Sequence, residues 1–126
     1  MIGVHNHRPV YAYGAPADMR KGFEGLSGLV RKELGQDPLS GALYLFTNRR
    51  RTRAKVLHFD GTGLCVYAKR LARGQFAKLW REPGAATFEL TTTELALFLE
   101  GSELIGRVAL SKPRLTKKSL AIAEQI

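Results

Sequence analysis

The chain has 126 residues, 44% of them apolar and 25% charged, a composition that fits one folded domain and excludes a wholly disordered chain. Its formal charge is +9, and the whole excess lies between Thr47 and Arg81, where ten basic residues face a single acid, Asp60. The lone Cys65 excludes an internal disulfide and a multi-cysteine zinc site, and no apolar run nears the roughly 20 residues of a membrane span.

Met1 to Pro9 lacks the apolar stretch of a secretory signal, so a cytoplasmic protein with no membrane partner is expected. Val10 to Tyr13 alternates small and aromatic residues before Gly14 and reads as a short strand. A long helix is expected next. Pro16 and Asp18 are its start signals, Met19, Phe23, Leu26, Val30 and Leu34 recur on one face, and Gly35 is its stop. Arg20, Glu24, Ser27 and Arg31 fall on the opposite, polar face. Gly22, Gly25 and Gly28 inside this stretch each cost roughly 1 kcal/mol relative to alanine, and close packing on a sheet is the expected reason for them.

Asp37-Pro38 marks a turn, and Ala42 to Phe46 is a continuous apolar run of the kind found in buried strands. Ala54 to Phe59 and Leu64 to Tyr67 are further strands, joined by the hairpin signal Asp60-Gly61-Thr62-Gly63. Cys65, inside an apolar run, is read as a small core residue. Lys69 to Phe76 is basic and broken by glycine, with room for one helical turn. After Pro83-Gly84, Thr87 to Leu90 is a candidate strand, and Thr91 with Glu94 has the spacing of a capping box. The short helix it opens carries Leu95, Phe98 and Leu99 toward the core and ends at Gly101. The expected fold class is α+β: a single domain over residues 1–110, with an antiparallel β-meander packed against one long N-terminal helix and a short C-terminal helix. Residues 111–126 form a basic tail.

On this map Arg49, Arg50, Arg51 and Arg53 occupy the turn between two strands, and Lys55 extends the row along the second. Lys69, Arg70 and Arg73 follow the adjacent strand near the same end. Arginine presents a planar fork of donors suited to phosphate oxygens, and a hairpin can lie along a duplex groove. The plain alternative is a solvated loop; against it, one acid does little to neutralise so much like charge. Five to eight phosphate contacts imply a log affinity against log salt slope of about −4 to −7. The aromatics Tyr44, Phe46, Phe59, Tyr67, Phe76 and Trp80 interleave with the basic residues, and most are expected in the core.

Nothing points to catalysis. Asp18 reads as a helix cap, Asp37 and Asp60 as turn residues and Glu94 as a capping-box member, which leaves no carboxylate set for a metal. His5-Asn6-His7 sits on a terminus, and no phosphate-binding glycine loop is present. No cofactor and no metal are expected.

The ordered motifs Ala15-Pro16-Ala17-Asp18-Met19-Arg20-Lys21-Gly22-Phe23-Glu24-Gly25-Leu26, Asp37-Pro38-Leu39-Ser40-Gly41 and Phe46-Thr47-Asn48-Arg49-Arg50-Arg51 closely resemble the TnpB accessory-protein family of insertion sequence 66 elements. The resemblance continues through Lys55-Val56-Leu57, Asp60-Gly61-Thr62-Gly63 and Lys69-Arg70-Leu71 to Phe76, covers roughly Val10 to Trp80 and extends more faintly through the Thr91 to Gly101 helix. It implies a small protein encoded beside a DDE transposase and a second accessory protein, and needed for efficient transposition. After Gly101 the chain departs from the tryptophan- and arginine-rich close of that family. The combined expectation is a non-catalytic accessory protein of transposition that binds element DNA through its basic hairpin. Two other readings fit the same charge: an adaptor docking on the transposase or its co-accessory protein, and an RNA-binding module.

Overall fold

The computed structural model describes residues 8–80 and 87–101. Expectations that concern His5, His7, Arg81, Pro83-Gly84 and the tail, and with them the boundary between residues 110 and 111, lie outside the described residues. Five strands form one sheet: β1 (Val10–Tyr13), β2 (Leu43–Thr47), β3 (Arg53–Phe59), β4 (Leu64–Arg70) and β5 (Thr87–Leu90). Their order is β4-β3-β2-β1-β5. Helix α1 (Phe23–Leu29) continues into π-helix over Val30–Leu34, and α2 (Thr92–Leu99) follows β5.

The expected meander is present in β2, β3 and β4, with Leu45 opposite Val56 and Leu57 opposite Val66. Two parts of the expected fold need correction. First, the sheet is mixed: β1 runs parallel to β2, Tyr11 beside Tyr44, because α1 carries the chain back to the starting end before β2 begins. Second, the helix is short, seven α-helical residues followed by five π-helical ones. It starts at Phe23 because the Asp18 carboxylate accepts the Arg20 backbone N–H at 2.9 Å, closing a local turn instead of capping a helix. Its end is as expected, with Gly35 at φ 65° and the Gln36 N–H donating to the Val30 carbonyl at 3.0 Å.

Both faces of the sheet are covered, which explains the unbroken apolar run of β2. On one face Leu26, Val30 and Leu34 pack with Tyr44, Phe46 and Leu57. On the other, Leu45, Ala54 and Val56 meet Phe76, Leu79, Leu95 and Phe98. Each fully buried aliphatic side chain among these contributes about 1.5 to 3 kcal/mol. The Phe76 and Phe98 rings stack at 5.1 Å, joining the segment after β4 to α2. That segment is non-helical, with a bend over residues 72–74. The capping box is complete: Thr91 Oγ1 accepts the Glu94 N–H at 3.0 Å and Glu94 Oε1 accepts the Thr91 N–H at 2.7 Å.

Several single-residue expectations change. Phe23 is 52% exposed and Ser27 is buried, reversing the faces assigned to them. Gly22 and Gly28 have nothing within 4 Å of where a Cβ would stand, and at Gly25 the neighbour is the Lys21 side chain, so sheet packing does not account for these glycines. Cys65 is half-buried beside the Asp60 carboxylate, outside the core. Tyr44, Phe46 and Phe76 are core aromatics, whereas Tyr67 is 50% exposed.

Candidate nucleic-acid interface

The basic turn is built by Asn48. Its side-chain Oδ1 accepts the N–H groups of Thr52 and Arg53 at 2.9 and 3.0 Å, and its carbonyl accepts that of Arg51 at 3.0 Å. Arg51 takes the left-handed conformation at φ 61°, rare for a residue with a Cβ. The segment after β4 holds it there. The Phe76 N–H donates to the Arg51 carbonyl at 2.7 Å, Gln75 Nε2 to the Arg50 carbonyl at 2.9 Å, and the Arg51 guanidinium reaches the Gln75 side chain at 3.3 Å.

A second loop is drawn up beside this turn. The Ala17 N–H donates to the Thr47 carbonyl at 2.8 Å, and Lys55 Nζ donates to the carbonyls of Met19 and Lys21, both at 2.8 Å. A cleft of about 310 Å³ results, lined by Ala17, Asp18, Met19, Arg20, Asn48, Arg49, Arg50 and Arg53. Beyond Met19 and Arg53 a smaller one of about 170 Å³ extends to Arg70. Arg53 and Arg70 stand directly opposite on β3 and β4. Since the Leu71 N–H donates to the Thr52 carbonyl, the Arg53–Arg70 pair is of the non-hydrogen-bonded kind, whose side chains stand closest.

The eight residues singled out from the sequence therefore divide. Arg49, Arg50, Arg53 and Arg70 are exposed and border the two clefts at one end of the sheet. Arg73 is exposed on the neighbouring segment but lines neither cleft. Arg51 turns toward Gln75 and Phe76. Lys55 secures the Met19–Lys21 backbone, and Lys69 Nζ donates to the Leu99 carbonyl at 2.7 Å, where a cation complements the C-terminus of α2. Both lysines line the smaller cleft, but their ammonium groups are engaged within the fold.

Asp18 and Arg20 were not expected here. Arg20 Nε and Nη2 donate to the two Asp18 oxygens at 3.0 and 2.8 Å, the ion pair found among the described residues. Hydrogen bonding from Arg20 holds the Asp18 carboxyl far below the usual carboxylate range, and the same pairing raises Arg20. The sequence signal was the Asp-x-Arg spacing that closes the turn. His58 accompanies the far end of β3; burial first, then Arg8, pushes its pKa down. Among the described residues no group of three or more His, Cys, Asp or Glu side chains could hold a metal ion, and no helix is long and apolar enough to cross a membrane.

A family profile described as IS66 Orf2 like protein matches residues 8–108, which takes in the whole sheet and both loops of the cleft. The chain belongs to the IS66 Orf2-like family. This IS66 Orf2-like chain is 36% identical over 84 residues to uncharacterized protein y4hO of Sinorhizobium fredii (strain NBRC 101917 / NGR234), covering 67% of its own length and 71% of the relative's. A second relative of the same strain, uncharacterized protein y4jC, is 33% identical over 76 residues, 60% of this chain and 65% of the relative. No solved structure gives a significant match.

Proposed function

We propose that this IS66 Orf2-like protein is a non-catalytic accessory factor of insertion-sequence transposition that holds duplex DNA by its backbone phosphates. Family membership supports the transposition setting. The observation that carries the DNA reading is the exposed group Arg49, Arg50, Arg53 and Arg70, gathered around adjoining clefts with no carboxylate of the described residues in ion-pair contact with any of them. Like charges held that close repel one another, and a polyanion relieves the repulsion.

Four or five contacts, the fifth being Arg73, replace the five to eight expected from the sequence, because Arg51, Lys55 and Lys69 are occupied within the fold. Fluorescence anisotropy of a labelled duplex across a salt series should then give a log–log slope of about −4. A flat response rejects the phosphate grip.

One observation favours the adaptor reading. Among the described residues β4 is an edge of the sheet, and it presents Tyr67 half-exposed, an arrangement open to strand addition by a protein partner. Recovery of the transposase on the immobilised protein after nuclease treatment would support an adaptor in place of a DNA-binding factor.

A further inference from the structure

We infer that Arg20 is a base-reading residue, aimed by Asp18 at the major-groove edge of guanine; this rests on the duplex-binding reading above. A guanidinium has two donor edges. Asp18 takes the Nε–Nη2 edge, with contacts of 3.0 and 3.2 Å from Nε and 2.8 Å from Nη2, and the Asp18–Arg20 backbone turn fixes the carboxylate at 2.9 Å. The Nη1–Nη2 edge is left pointing away from Asp18, on a side chain 90% exposed. Two parallel donors in a plane match guanine O6 and N7.

Phosphate oxygens also accept two parallel donors, and electrostatics separates the two targets. Asp18 remains ionised throughout the neutral range, so the pair carries no net charge and its carboxylate repels a phosphate. A guanine edge is neutral, so the pair gives up little there, while the orientation imposed by Asp18 reduces the side-chain entropy lost on contact. The same cleft is also lined by Arg49, Arg50 and Arg53 of the basic turn, which are available for phosphates. The cleft thus combines a charged wall for grip with a neutral, rigid fork for selection, the division of labour by which backbone contacts position a protein and base contacts specify its site.

The test is selection from a pool of duplexes with a randomised centre, followed by anisotropy on the enriched duplex and on one with its guanine replaced. The intact chain should enrich a guanine-containing site and prefer it roughly 5- to 150-fold. Arg20→Lys keeps the charge without the fork and should lose that preference while binding the replaced duplex as before. Asp18→Asn should also lose preference, yet bind the replaced duplex more tightly and with a steeper salt slope, because a negative charge has gone. Both variants alter an exposed loop, and urea unfolding checks that they fold. An enriched guanine preference that survives in either folded variant overturns the inference, as does an intact chain that binds duplex without selecting any guanine. An intact chain that binds no duplex overturns the DNA reading with it.

Discussion

Lys55 and Arg50 are both basic residues near one turn, but their chemistry differs. Lys55 gives two charge-assisted hydrogen bonds to the Met19 and Lys21 carbonyls from a half-buried position. Bonds from a charged donor contribute about 1.5 to 3 kcal/mol, so Lys55→Ala should lower the urea-unfolding free energy by about 1 to 3 kcal/mol. Arg50→Ala, at an exposed tip, should change stability by less than about 0.5 kcal/mol while reducing the magnitude of the salt slope by about 0.9. If Arg50→Ala destabilised the fold and Lys55→Ala altered only the slope, the two roles would be reversed. Sequence alone did not separate the two, since the burial of β3 on both faces that makes a lysine there seek acceptors inside the fold is a property of the sheet. Asp60 is the converse case, an acid whose turn role was legible. The Thr62 N–H, then the Gly63 N–H and the Thr62 hydroxyl, donate to its carboxylate and lower its pKa to about 2. The depressed value makes its contribution present above about pH 4 and lost as pH falls through about 2. A carboxyl titration followed by NMR should show the low midpoint; an ordinary one near pH 4 contradicts the turn geometry.

At the scale of elements, α2 was readable because its signals are local. Thr91 and Glu94 sit three residues apart and their reciprocal bonds need nothing from elsewhere. The start of α1 was misread because Asp18 has two local uses, cap or turn, and Arg20 two residues later supplied the stronger one. Phe23 and Met19 were then placed on a helical face that begins only at Phe23. Gly28 of α1 follows from neither turn geometry nor packing. At Gly28 the space that a methyl group would occupy is open and the backbone is already helical, so Gly28→Ala should raise stability by about 0.5 to 1 kcal/mol. Thermal and urea unfolding check this, and a loss of stability would reveal a partner for that surface in the folded chain. Gly25→Ala should do worse, because its methyl would meet Lys21 Cβ at 2.9 Å.

Over the whole molecule, strand positions were legible from apolar runs and turn residues, while their neighbours were legible only where a hairpin joined them. The parallel β1–β2 pair depends on a helical crossover, whose strand-helix-strand order was present in the sequence without fixing which strands pair. The same crossover brings the Asp18–Arg20 loop to the end of the sheet where β2 hands over to the arginine turn, so two segments some thirty residues apart share one cleft. Sequence order could list the basic residues but not say that Lys55 and Lys69 are taken up by backbone carbonyls. The central claim is that the positive end of the sheet, and not the net charge of the chain, holds DNA. It is tested by comparing salt slopes for duplex binding in two variants: one with Arg49, Arg50, Arg53 and Arg70 all replaced by alanine, the other with exposed Arg31 and Lys32 replaced at the end of the helix. The first variant should flatten the slope from about −4 to about −1 or shallower, Arg73 being retained, and the second should leave it almost unchanged. Equal loss per charge removed in the two variants would contradict it.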